Sequence, residues 1–305
     1  MAPMPAAAVS SAGAPASVSQ PPMVTASTPP TAPQDDETDA GPARDTFCDG
    51  SDTLRLAYNS LAGGLVFEAF HFTNPHGHAF FVIDGKCRYY VGENYMRGIV
   101  TGTLAPSEAE RLSADLHWND LDVWSAWGTD KDLACPDAGL LMLAKPMAAA
   151  GCSCGCDEAA PEGLNDALKN ANEWVDKLLS TGSPLDGAVS AVVVAASMGK
   201  TPTQPELEWP LARAIESIPN LVVKSGDPKL WMGTGPWAVF DERADYTQLR
   251  EMRAATSRTD AANGGYLSQA IVLRDKGTSY DLFVRDELPA QVEQMWTALN
   301  ATLQK

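Results

Sequence analysis

No stretch of this sequence stays apolar for long enough to cross a bilayer. The longest, 187–198 (GAVSAVVVAASM), covers 12 residues, against the ~20 that a spanning helix needs, and it reads as one buried strand. Basic runs are absent throughout, which sets aside nucleic acid and anionic membrane surfaces as partners, because binding either requires clustered Lys and Arg. Neither a basic n-region nor an apolar h-region of a secretory signal occurs before Arg44. The G-x-S-x-G and H-E-x-x-H motifs and the dinucleotide fingerprint are also missing. Gly233-Thr234-Gly235 lacks the Gly-Lys-Ser/Thr ending of a phosphate loop and reads as a turn. Histidine is scarce: all four lie between 71 and 117, so a serine or cysteine triad has few possible bases. Only His117 remains for one, and nothing else in the sequence supports it. These absences favour a protein that is not an enzyme.

Aromatic residues are missing from residues 1–46, where nine Pro and eleven Ala dominate and Val9, Val18 and Val24 are the only branched apolar residues. Such a stretch cannot bury enough apolar surface to offset the entropy of ordering it. The expectation is a disordered Pro/Ala/Ser-rich tail that projects the folded part away from an attachment point. Its composition matches the spacer that follows an export signal or a lipid-anchored cysteine in bacterial envelope proteins. We therefore expect an exported protein, periplasmic or on the cell surface, with a lipid anchor upstream of the given start; the alternative is a cytoplasmic protein with a disordered tail.

All eight Trp, seven Tyr and eight Phe fall after residue 46. The charge of −17 is uneven: residues 45–200 hold 10 Lys and Arg against 21 Asp and Glu. From Leu65, LVFEAFHFT and HAFFVIDGKCRYYV read as strands of a hairpin turning at Asn74-Pro75-His76-Gly77, with a second reversal at Asp84-Gly85. Ser107 with Glu110 has capping-box spacing, ahead of Leu112 and Leu116 on one helix face. A strand follows at 140–144, then a helix through Leu164, Leu168, Ala171, Val175 and Leu178, and the apolar strand near 188–197 closes this part. Residues 199–208 (GKTPTQPELE) suggest a linker. Beyond it the pattern predicts helix near 210–217, strands near 220–224 and 236–240 and helix near 245–256. Strands 266–273 and 279–285 and a final helix 289–302, with Val292, Met295, Trp296 and Leu299 on one face, complete the chain. The organisation expected is therefore a tether (1–46), an acidic Cys-containing domain (47–198), a linker (199–208) and a second domain (209–305). The fold class is α+β, antiparallel hairpins with packed helices.

Six cysteines permit fifteen pairings in an oxidising compartment: Cys48, Cys87, Cys135, Cys152, Cys154 and Cys156. The array Cys152-Ser153-Cys154-Gly155-Cys156 lacks the knuckle spacing of structural zinc. It either offers soft thiolates to Zn or Cu, pairs with the three distant cysteines, or stays free for redox chemistry. If the hairpin turns on Pro75-His76, then Thr73 faces His78 and His71 faces Phe80. His71 and His78 then share a face as diagonal neighbours about 6 to 8 Å apart, with His76 at the turn. Three such imidazoles suit Zn or Cu(II); otherwise they are polar residues on a solvent face. Trp118, Trp124 and Trp127 suit either a stacking platform for sugars or peptides or the edge of the core. Asp115, Asp120, Asp122, Asp130, Asp132 and Asp137 lack EF-hand spacing and read as a solvated surface that binds calcium at most opportunistically.

The order of elements from 65 to 189 resembles uncharacterised bacterial envelope domains of unknown function: a strand, a hairpin, a strand with Gly and Tyr (Asp84-Gly85 to Tyr90), then a Gly-rich turn and a capped helix. That resemblance implies export and carries no activity or catalytic residues. The function expected is binding of an unknown protein or small ligand by a tethered envelope protein. The alternatives are a metal-binding protein and an enzyme with an unrecognised site.

Overall fold

The computed structural model describes residues 46–61, 79–92, 98–125, 127, 140–153, 160–195, 206–224, 237–256 and 271–303. The expected tail before Thr46, residues 65–78 with all three clustered histidines, and residues 199–205 of the expected linker lie outside them. Within residues 45–305, which form one compact unit, the fold is α+β, as the pattern of hairpins and helices led us to expect.

Seven strands make the first sheet: β1 (Leu54–Leu61), β2 (Phe80–Asp84), β3 (Arg88–Gly92), β4 (Ile99–Thr103), β5 (Leu140–Lys145), β6 (Ala148–Ser153) and β7 (Ser183–Pro184). Their order is β6-β5-β1-β2-β3-β4-β7, and every neighbouring pair is antiparallel. The reversal at Asp84-Gly85 forms as expected. The Asp84 carboxylate accepts the N–H groups of Lys86 and Arg88 at 2.9 Å each and the Arg88 Nε at 2.6 Å. A short acidic side chain that satisfies its own turn explains why this dipeptide reverses the chain. Strand β2 is buried at every position because both faces are covered. Phe81 and Ile83 meet one core and Phe80 and Val82 another.

The expected pairing of His71 with Phe80 involves a residue outside the described ones. Phe80 already has Asn59 of β1 on one side and Gly92 of β3 on the other, so no third strand can pair there. Strand β1, LRLAYNSL, holds that place and was missed in favour of the more aromatic run that follows it.

Two helices cover the first face of this sheet. Helix α1 (Pro106–Asp115) starts two residues earlier than Ser107 suggested. Its N-cap is Ala105, Pro106 supplies a preset φ at the first position, and Glu108, not Glu110, reaches back to the Ala105 N–H at 3.5 Å. Helix α2 (Leu164–Thr181) buries Leu164, Ala167, Leu168, Ala171, Trp174, Val175 and Leu178 on one stripe, the period the sequence shows. Tyr58 of β1 donates its hydroxyl to Asn172 Oδ1 at 2.7 Å, and burial pushes its phenol pKa up to about 12.

The second sheet holds β8 (Val189–Ala195), β9 (Leu207–Glu208), β10 (Val222–Val223), β11 (Ala238–Phe240), β12 (Ile271–Asp275) and β13 (Thr278–Asp286). Its order is β10-β8-β13-β12-β9, with β11 also on β8. Helix α3 (Arg243–Thr256) packs Tyr246, Leu249 and Met252 on one of its faces. Here the expected domain division differs from the structure. Strand β8 does not close the first part; it pairs with β10, β11 and β13 at the centre of the second sheet. The last helix, α4 (Ala290–Leu303), crosses back and places Val292 and Leu299 against Leu54, Ala57, Phe80 and Val82 of the first sheet. An apolar run announces burial, but it does not announce which distant strand will pair with it. Only one 3-10 turn, Ile215–Ser217, forms where a helix near 210–217 was expected. Pro210 and Pro219 enclose that segment, and each biases the residue before it away from helix.

The sheets meet at Asp286, which ends β13 and is 3% exposed. Its carboxylate accepts the Ile99 N–H of β4 at 2.7 Å, Arg250 Nε at 2.8 Å, and Arg253 Nη2 at 3.1 and 3.2 Å. Gly98, at φ +76°, makes room for this: a Cβ there would collide with Arg253 Nη2 and Asp286 Oδ2. Two guanidinium groups and a peptide dipole around one carboxylate compensate for the loss of water. Removing the carboxylate leaves both cations buried without it. Asp286→Ala should therefore lower stability by about 3–5 kcal/mol, read from the urea midpoint at unchanged slope.

Candidate functional site

The chain from Thr46 to Gly50 lies across the first sheet's β2–β3 turn and is held there at several points. Cys48 is disulfide-bonded to Cys87, with Cα atoms 5.5 Å apart. Gly50 N–H donates to Gly85 O at 2.7 Å. Arg55 donates to the carbonyls of Phe47 and Thr46, at 3.1 Å each, and pairs with Asp49 at 3.1 Å. Hydrogen bonds from Ser51, aided by Arg55, hold the Asp49 carboxyl below the usual carboxylate range.

Trp118 anchors this strap. Phe47 meets it edge-on at 5.5 Å, Arg55 and Lys145 lie 5.0 and 4.6 Å from its ring centre, and its Nε1 donates to Arg55 O at 3.1 Å. Lys145 is only 7% exposed. Its ammonium donates to Trp118 O at 3.2 Å and to Asp122 Oδ2 at 2.7 Å, so the buried charge is both paired and hydrogen-bonded.

Between the strap and α1 runs a groove of about 810 Å³. Cys48, Cys87, Gly50, Gly85 and Lys86 form one wall; Pro106, Ala109, Glu110, Ser113 and Ala114 of α1 form the other. Phe47, Leu104 and Trp118 supply apolar surface, and His117, Asn119 and Asp120 close one end. His117 sits at φ +50°, just past the end of α1, and its Nδ1 lies 3.0 Å from Asp120 Oδ2. Lys86 is paired with Asp52 at 2.7 Å, which with Arg88 holds the Asp52 carboxyl below its ordinary range. Glu110 has no hydrogen-bond or ion-pair partner among the described residues. Nor does any described serine or cysteine hydrogen-bond to His117, so the geometry offers no activated nucleophile there.

The cysteine expectations are partly revised. A disulfide is present, but Cys48 and Cys87, two of the distant three, pair with each other and not with the array. Cys152 is also disulfide-bonded and therefore presents no thiolate to a metal. Cys135, Cys154 and Cys156 lie outside the described residues, as do His71, His76, His78 and Gly233-Thr234-Gly235. Among the described residues, no group of three or more His, Cys, Asp and Glu is placed to hold a metal ion.

A stacking platform needs open indole faces, and Trp118 and Trp124 are 3% and 5% exposed within the core, with Trp127 packed against it. That correction turns a ligand surface into a structural anchor. Of the acidic run, Asp122 pairs with Lys145, Asp120 with His117, and Asp115 accepts Trp174 Nε1 at 3.1 Å. Each serves a separate contact; Asp130, Asp132 and Asp137 are outside the described residues. The strap and the role of Arg55 were not foreseen. The one local signal was the stripe Ala109, Ser113, Ala114 beside the buried Leu112 and Leu116 on α1.

No family model, no curated protein and no solved structure matches the chain.

The disulfide closes 39 residues of chain, so a Cys48→Ser/Cys87→Ser variant should lose about 2–4 kcal/mol of stability. Urea unfolding of wild type with and without reductant should show a loss at least as large. A non-reduced digest should release the Cys48 and Cys87 peptides as one linked species.

Proposed function

We propose that this is an exported, tethered protein of the cell envelope with a non-catalytic binding role, and that the groove beside α1 is its binding surface. The observation that carries the reading is that groove: about 810 Å³, open along a helix and walled by a disulfide-held strap. Ligand sites are typically concave and mostly apolar, with a few polar groups, and this one fits that description. The composition of residues 1–46 supports a tether. The Cys48–Cys87 disulfide and the bonded Cys152 are in keeping with an oxidising compartment. Among the described residues no helix is long and apolar enough to cross a membrane.

Two measurements test this. Selection of a random peptide display library on the purified protein should enrich binders that lose affinity for Ala114→Trp, which fills the groove from an exposed position on α1. Enriched binders that hold both proteins equally would move the binding surface elsewhere. Thiol titration in denaturant, on protein taken from its native cells, should find Cys48 and Cys87 unreactive. Six free thiols would sink the export reading.

A further inference from the structure

We infer that the groove takes an extended peptide segment that combines apolar side chains with Lys or Arg, an inference that rests on the groove being the binding surface. The lining residues of α1 recur at intervals of three and one, Pro106, Ala109, Glu110, Ser113 and Ala114. They follow one face along the whole helix. Ten residues of helix span about 15 Å, the length of four or five extended residues. The floor and strap line the groove with Phe47, the Cys48–Cys87 disulfide and Leu104, which suit apolar side chains.

Charge selects the remaining chemistry. The groove's cation, Lys86, is already answered by Asp52, and the Asp120 carboxylate is hydrogen-bonded to His117. Glu110 is left as the lining charge without a partner among the described residues. No basic residue sits in the last turn of α1, so the negative end of its dipole is uncompensated from within the helix. The 11 excess acidic charges in residues 45–200 extend the same sign outward, attracting basic segments and repelling acidic ones.

The probes are acetylated, amidated pentapeptides: Leu-Lys-Ala-Lys-Phe and its counterparts with Gln or Glu for Lys, with argininamide as an isolated cation. Titration calorimetry at low salt should show the lysine peptide binding about tenfold more tightly than the glutamine one, with the gap closing in 0.5 M NaCl. Glu110→Gln should weaken the lysine peptide about two- to fivefold and leave the glutamine peptide unchanged, while Ala114→Trp removes both. Circular dichroism checks that each variant is folded, and Ser113→Leu replaces Ala114→Trp if that variant is not.

Equal binding of the lysine and glutamine peptides, or tighter binding of the glutamate one, overturns the ligand class and leaves the groove as the site. Argininamide binding as tightly as the lysine peptide overturns the extended segment. A lysine peptide indifferent to Ala114→Trp overturns both the inference and the groove. If no peptide binds, the inference fails, while the display selection still judges the groove.

Discussion

Asp286 brings together the end of β13, the start of β4 and two arginines of α3, and the two sheets depend on one another through it. A carboxylate almost removed from water is tolerable only where donors surround it on several sides. Here those donors come from different parts of the chain: the Ile99 N–H from one sheet, Arg250 and Arg253 from the helix that covers the other. Moving any one of them weakens the shell of donors around that carboxylate. The same point fixes Gly98 as glycine, since any side chain there would occupy the space of the ion pair.

The strap at 46–50 solves a different problem. It adds no strand to the sheet, yet it is held by a disulfide, a backbone hydrogen bond, Arg55 and the face of Trp118. These contacts keep it clear of α1, and the space left between them is the groove. Trp118 is thus part of the site through its position beneath the strap, and the two cations near its ring answer to backbone oxygens and carboxylates.

What the sequence made legible was local. The Asp84-Gly85 reversal, the stripe of α2, the buried character of β8 and the face of α4 all follow from patterns within a few turns of chain. What it hid was long-range. Nothing in LRLAYNSL marks β1 as the strand that occupies one side of Phe80, and nothing in AVVVA says that β13 will be its neighbour. The site was hidden for the same reason: Arg55, Trp118 and Lys145 meet across 90 residues of sequence, and Cys48 finds Cys87 across 39. One expectation failed on burial alone, the tryptophan platform, because the indoles of Trp118 and Trp124 face inward.

Helix α4 carries a consequence for how the molecule reaches this state. Leu54, Ala57, Phe80 and Val82 are packed near the start of the fold, but the residues that cover them, Leu288, Val292 and Leu299, belong to its far end. A chain delivered N-terminus first, from the ribosome or through a translocation pore, keeps that side of the first sheet wet until its final helix emerges. The fold therefore waits on α4: a product truncated before it would leave an apolar sheet face open, whereas a chain held unfolded during passage loses nothing by waiting.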